Sequence, residues 1–217
     1  MKSFISKLLD LVYPPRCPFC RKLLESKEGA ICAECDRKLP RTNEFTGVQK
    51  LSGVDICCTP LYYRDMVRSS LLRYKFSGAA AYCEIYAKLT AKSIDESGIT
   101  CDTITWVPVS RRRYMERGYD QAQLLAEAIA RRMGVPCVRL LKKRRHNKAQ
   151  SRSGSSAQRK KNVSGIFVPV NADRISGKRI LVIDDIVTSG STLSECADVL
   201  LKAGARSISA AAVARSK

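Results

Sequence analysis

Nowhere in these 217 residues does an apolar run approach the roughly 20 residues that a membrane-spanning helix requires, so no membrane span is expected. The opening MKSFISKLLDLVYPPRC has the outline of a secretion signal. Lys7 and Asp10 interrupt its apolar stretch, however, and no small-residue cleavage site follows. Phe4, Ile5, Leu8, Leu9 and Val12 instead fall at the spacing of a short amphipathic docking helix over 1–16, closed by Pro14–Pro15. Histidine is nearly absent. His146 is the only one, and within KKRRHNK it reads as a solvated or polyanion-contacting side chain rather than an acid–base group. No aromatic-rich segment announces a hood for a base, no helix-turn-helix pattern is apparent, and no internal repeat occurs.

Acidic residues are also scarce. Twenty Asp and Glu stand against 39 Lys and Arg, a net charge of +19. Between Ser110 and Lys161, sixteen basic residues face only Glu116, Asp120 and Glu127, so this stretch alone carries +13. A phosphate-rich substrate needs three or four such groups. The surplus points to a polyanion, and Arg112, Arg113, Lys142, Lys143, Arg144, Arg145, Lys160 and Lys161 are the candidate nucleic-acid contacts.

Cysteine is plentiful, with ten, but not in a secreted pattern. Cys17-x-x-Cys20 and Cys32-x-x-Cys35 are two knuckles in the spacing of a structural zinc site, in which four thiolates close a tetrahedron and leave no catalytic position. The other six (Cys57, Cys58, Cys83, Cys101, Cys137 and Cys196) lie in apolar segments, where reduced cysteine acts as a small hydrophobe. A cytoplasmic protein is therefore expected.

Punctuation divides the chain into a helix-plus-zinc module over 1–40 and a larger domain over 41–217. A polar stretch, Arg41–Gly53, leads into a β-rich run at Val54–Tyr63. Arg64–Phe76 and Ala80–Ile94 show helical spacing. From Asp102 strand and helix alternate: strand Thr103–Val109, helix Tyr119–Met133 stopped by Gly134, short edge strand Ile166–Val170, strand Arg179–Ile183, helix Ser191–Ala203 stopped by Gly204, and strand Ser207–Val213. Such alternation predicts an α/β fold with a mostly parallel central sheet flanked by helices.

The segment ILVIDDIVTSGST (180–192) carries the chemistry. An apolar run suits a strand buried on both faces, Asp184–Asp185 are expected to terminate it, and Thr188, Ser189, Gly190, Ser191 and Thr192 open a helix. Parallel sheets bind ligands beyond the carboxyl ends of their strands. A helix N-terminus favours phosphate, and glycine permits positive φ and close backbone approach. Adjacent carboxylates can accept hydrogen bonds from the two vicinal ribose hydroxyls. No lysine follows the glycine as a Walker loop requires. A second arm, VPVSRRRYMERGYDQAQLL (107–125), places Val109, Ser110, Arg111, Arg117 and Tyr119 where a strand end and a basic loop would chelate pyrophosphate, although a solvated basic loop gives the same pattern.

The apolar–acid–acid–Thr/Ser-Gly-Ser-Thr order resembles that of type I phosphoribosyltransferases, of the amidophosphoribosyltransferase-like kind. Taken with PPRCPFC, with VPV followed by RGYDQAQLLA, and with QSRSGSSAQRKKNVSGIF (150–167), it is similar to the late-competence ComF family over nearly the whole chain. That resemblance implies a type I phosphoribosyltransferase-like domain with a small N-terminal zinc ribbon. It also implies ribose hydroxyls on Asp184 and Asp185, and a 5-phosphate on 188–192. Residues 150–167 would be a closing catalytic loop from which Arg159 and Asn162 reach inward, though a solvated charged linker is the reading the residues themselves favour slightly there. The implied ligand is phosphoribosyl pyrophosphate with Mg²⁺. The implied partners are single-stranded DNA taken up in natural transformation and a helicase-like competence ATPase. Tyr114 and Tyr119 are the aromatics available for stacking on bases, with a buried helix contact the other reading for Tyr119. Two functions stand side by side: a DNA-handling accessory protein, and a genuine phosphoribosyltransferase releasing pyrophosphate. A regulator that senses the ligand and binds duplex DNA ranks last.

Overall fold

A computed structural model describes residues 15–24, 31–43, 47–76, 82–144 and 165–216. The expected helix over 1–16 lies outside them, apart from Pro15 and Arg16. Among the described residues no helix is long and apolar enough to cross a membrane. The elements, in order, are α1 (Ala33–Lys38), β1 (Val48–Leu51), β2 (Val54–Cys58), β3 (Leu61–Tyr62), α2 (Asp65–Phe76), α3 (Cys83–Glu96), β4 (Thr103–Trp106), α4 (Arg111–Arg117), α5 (Gln121–Met133), β5 (Leu141–Lys143), β6 (Phe167–Pro169), β7 (Arg179–Val187), α6 (Ser191–Lys202) and β8 (Ser207–Arg215).

The main sheet runs β1-β2-β8-β7-β4, with β3 also on β8, and every pairing except the antiparallel β1–β2 is parallel. β7 is the pivot. It pairs with β4 from Thr103↔Ile180 to Trp106↔Ile183, and with β8 from Arg179↔Ser207 to Val187↔Arg215. Alternation along β7 and β8 separates two cores. Leu181, Ile183, Ala211 and Val213 pack with α2, α3 and α5, while Ile180, Val182, Ile208, Ala210 and Ala212 pack with α6. Helices thus cover both faces, as the continuous apolar runs require.

Local chemistry sets the boundaries. Asp120 caps α5 by accepting hydrogen bonds from the Ala122 and Gln123 amides (3.1 and 3.2 Å), and Gly134 ends that helix at φ +67°. Val54–Tyr63 divides at Thr59–Pro60, and both halves, β2 and β3, lie along the same edge of β8.

Four expectations need correction. β7 does not end at Asp184–Asp185, because its ladder with β8 continues to Val187. Conversely, the strand expected over 103–109 ends at Trp106, the last residue paired with β7. The basic loop 111–117 is a helix, held by a Ser110 cap and a left-handed Gly118 rather than by any buried side chain. Finally, 166–170 is not an edge of the main sheet. β6 pairs with β5 in a separate ribbon that packs through Leu141 and Phe167 into the α6-side core.

Ala210, Ala211, Ala212 and Ala214 are fully buried in β8, so helices approach the sheet closely there. Ala211→Leu is expected to overpack the α3 side and lower stability by about 1–3 kcal/mol, read from urea unfolding.

Candidate functional site

The phosphate-loop sequence joins the carboxyl end of β7 to α6. Gly190 precedes the helix at φ +75°, and a methyl group on its α-carbon would sit 2.2 Å from Leu51 Cδ2 of β1. Only glycine suits a site that is both left-handed and this tightly covered. Gly190, the cap residue of α6, offers no side chain, and the Ser191 amide reaches the Ser189 hydroxyl only at 3.5 Å. Thr188 and Ser189 are exposed, Ser191 and Thr192 half-buried, and the Ser189 and Ser191 hydroxyls lie 3.0 Å apart. Exposed hydroxyls beside a helix N-terminus form a suitable cradle for a phosphate dianion.

Because β7 continues through them, Asp184 and Asp185 leave the strand on opposite sides. Asp185 points to the α2/α5 side. Its Oδ1 lies 3.0 Å from Lys75 Nζ, and its Oδ2 accepts from Gln121 Nε2 at 3.1 Å. Asp184 belongs to the α6 side, where its charge acts on Lys143 and Cys196. One Asp184 oxygen accepts from the Asp185 amide at 2.8 Å. Desolvation first, and the neighbouring Asp185 second, push the Asp184 carboxyl up to about 8.

The second arm lies at the end of β4, next to β7. Asp120 closes it: besides capping α5, its carboxylate accepts from Val109 N at 3.0 Å, cinching 109–120 into a loop around α4. Burial raises the Asp120 pKa, and these three amides oppose the rise. Ser110 is occupied as the cap of α4, accepting from Arg113 N. The predicted arm residues then diverge. Val109 and Arg111 face a cleft of about 800 Å³. Arg117 instead stacks on Phe76 (4.7 Å), with Nε and Nη1 buried and unpartnered among the described residues. Tyr119 donates its hydroxyl to the Tyr74 carbonyl, the helix contact foreseen as its other reading.

The cleft brings together Trp106 and Tyr114 with Arg111, Arg139, Lys142, Lys143 and Arg144. Among the described residues none of these five cations is in a salt bridge, and the one acid on the wall, Asp120, is spent on backbone amides. Arg112 and Arg113 lie on α4 but off the cleft wall, Arg112 paired with Glu116 at 2.7 Å. Burial, then Arg113, lowers the Lys143 pKa. Arg145, His146, Arg159, Lys160, Lys161 and Asn162 lie outside the described residues. Sequence reasoning missed Lys75, Gln121, Trp106 and Arg139. A lysine in the last turn of a helix and a glutamine after an N-cap look like ordinary surface positions, so nothing local marks the first two.

The four cysteines of the knuckles converge, with all Sγ atoms within 4.8 Å of one another and Cys20 and Cys32 at 3.5 Å. Four sulfurs each about 2.3 Å from a zinc ion would stand about 3.8 Å apart, which this arrangement approaches. Burial opposes ionisation of Cys17, but the amides of Cys20, Cys32 and Phe19 bring it down to about 7. Burial and neighbouring sulfurs push Cys35 well up. Four thiolates this close need a divalent cation, so the donor set fits zinc. The knuckle rests on α2 and α3. Ser70 Oγ donates to Pro18 O at 2.6 Å and lies 2.6 Å from the Tyr86 hydroxyl, and Arg73 Nη2 donates to Pro18 O (2.6 Å) and Phe19 O (3.2 Å).

Comparison with known proteins agrees with this geometry. Residues 120–217 match the phosphoribosyl transferase domain, and residues 8–45 the double zinc ribbon domain. DNA utilization protein YhgH of Salmonella typhi is 31% identical over 222 residues, covering 91% of this chain and 96% of that one. Competence protein ComFC of Bacillus subtilis is 28% identical over 205 residues (92% and 78%), and competence protein F of Haemophilus influenzae 25% over 207 (92% and 90%). The fold is thus of the type I phosphoribosyltransferase kind, with an N-terminal zinc ribbon. Purified protein is expected to carry one zinc per chain by atomic absorption, and Cys35→Ser to lose it with a lowered thermal midpoint.

Proposed function

Because this chain belongs to the ComF family of phosphoribosyltransferase-like proteins, we propose that it handles single-stranded DNA in the cytoplasm during natural transformation while binding a phosphoribosyl group. Phosphoribosyl pyrophosphate with Mg²⁺ is the ligand the site suits. The observations that carry the reading are a phosphate cradle and acid pair at the carboxyl end of β7 and, beyond the end of the neighbouring β4, a cleft lined by five cations that make no salt bridge among the described residues.

The ribose hydroxyls would donate to Asp184 and Asp185, with the 5-phosphate at the N-terminus of α6 on residues 188–192. Arg111 would face the pyrophosphate, while Arg117 and Tyr119, turned toward α2, support the arm from behind. The cations of the cleft exceed what one pyrophosphate needs. The adjoining stretch 145–164 adds six more Lys and Arg and no acid to the sequence. A single strand supplies the missing charge as a row of phosphates, and Tyr114, about half exposed, offers a face for a base. Arg159, Lys160 and Lys161 would reach the same ligands from that stretch. The competence role extends to this chain what the names of competence protein ComFC and competence protein F say of those relatives, and a helicase-like ATPase is the expected partner.

One observation favours the transferase reading. The cleft is large enough for a nucleobase, and Trp106 and Tyr114 line it, so an acceptor base could be seated beside the ribose. Release of pyrophosphate with a panel of bases, read by a coupled assay, decides between carrier and enzyme.

Isothermal titration with phosphoribosyl pyrophosphate and Mg²⁺ is expected to show binding that the double variant Asp184→Asn/Asp185→Asn abolishes. Survival of that heat removes the site assignment. Affinity for single-stranded DNA should fall with salt by roughly 0.7 log–log units per phosphate contacted, and Lys142→Ala and Arg144→Ala should each lower the slope by about that amount. A flat salt profile would end the nucleic-acid reading. Titrating one ligand in the presence of the other then shows whether they share the site.

A further inference from the structure

We infer that the four-cysteine knuckle fixes the ribose end of the site through α2, with Lys75 as the positioning residue for Asp185. The inference rests on reading Asp184–Asp185 as the ribose-holding pair.

One short helix makes both sets of contacts. Toward the knuckle, the Ser70 hydroxyl and the Arg73 guanidinium donate to the carbonyls of Pro18 and Phe19, the two residues between Cys17 and Cys20. Toward the site, in the same last turn and a half, Tyr74 donates its hydroxyl to the Gln121 carbonyl (2.7 Å) and Lys75 pairs with Asp185 (3.0 Å). Gln121 in turn donates its amide to the other Asp185 oxygen (3.1 Å), so α2 grips both the carboxylate and the residue that steadies it. Lys75 is 20% exposed and Asp185 6%, which makes this the least exposed ion pair among the described residues.

The physical demand runs in both directions. A nearly dry carboxylate must have a cation beside it, and among the described residues only the end of α2 brings one within salt-bridge distance. With Lys75 on Oδ1 and Gln121 on Oδ2, each oxygen keeps a lone pair for a ribose hydroxyl, and the carboxylate cannot rotate. At the other end, Ser70 is fully buried and Arg73 half-buried. If the knuckle opened, both would lose their carbonyl acceptors, and Phe19 (5% exposed) would leave the core that holds α2. The position of Lys75 is thus tied to the closed state of a site on the far side of the same helix. Coupling of this kind is reciprocal: if the knuckle holds the ribose site in shape, ligand in that site must hold the knuckle closed.

The test uses the full-length zinc-loaded protein, with phosphoribosyl pyrophosphate and Mg²⁺ as the probe. Lys75→Met is expected to weaken binding by about tenfold or more, the loss typical of a charged hydrogen bond, and Lys75→Arg to restore most of it. In an Asp185→Asn background, Lys75→Met should add less than about twofold, since its effect passes through that carboxylate. Zinc transfer to a zinc-selective chelator should slow several-fold when the probe saturates the unmodified protein, and Arg73→Ala should remove the slowing. This release measurement needs no substitution at Lys75, so it stays informative if that variant folds poorly. Undiminished binding by Asp184→Asn/Asp185→Asn overturns the ribose reading itself. If that variant loses binding while Lys75→Met keeps it, the positioning role falls, and zinc release indifferent to the probe overturns the coupling to the knuckle.

Discussion

β7 and β8 keep one register from Arg179↔Ser207 to Val187↔Arg215, so Asp184 and Asp185 are carried inside a strand rather than on a loop. Much of the site follows from that constraint. A strand alternates its side chains, so the carboxylates must part, one toward α2 and α5 and the other toward α6. Each then meets a different environment. Asp185 is held by Lys75 and Gln121, while Asp184 accepts from the Asp185 amide, and burial, then Asp185, pushes its carboxyl up to about 8. An acid whose folded pKa is raised in this way costs stability as pH climbs from the ordinary carboxylate range toward 8, because the native state binds its proton more tightly than the unfolded chain does.

The second constraint is Asp120. Three backbone amides converge on one carboxylate and bind the start of α5 to the end of β4. The intervening α4 has no fully buried residue, so its course depends on that clasp, on the caps at Ser110 and Gly118 and on Arg117 stacked against Phe76. Arg111 and Tyr114 of α4 line the cleft.

What was legible in the sequence follows from how each element is stabilised. β7, α5 and α6 announce themselves because a strand buried on both faces is an unbroken apolar run, and because Asp120, Gly134 and Gly204 punctuate the helices with chemistry that acts locally. The four cysteines and the Thr188–Thr192 loop are equally local signals. α4 leaves no apolar period to detect in the sequence, because none of its residues is fully buried. β1 and β5 escaped notice since one is an edge strand with no fully buried residue and the other a three-residue piece of a separate ribbon. Two charges in sequence normally end a strand, and here tertiary pairing overrode that rule. Lys75 and Gln121 could not be found at all, because each matters only through a partner far along the chain.

Lys143 shows why the phosphosugar and the polyanion are best considered together. It lines the cleft, it is half-buried, and its charge also acts on Asp184 and Glu195 on the α6 side. Burial and Arg113 both disfavour its charged form, whereas any phosphate entering the cleft would favour it. On the proposed reading a strand in the cleft and a ribose on the acid pair therefore draw on the same ammonium group from two sides. Lys143 is thus the group through which one ligand would feel the other.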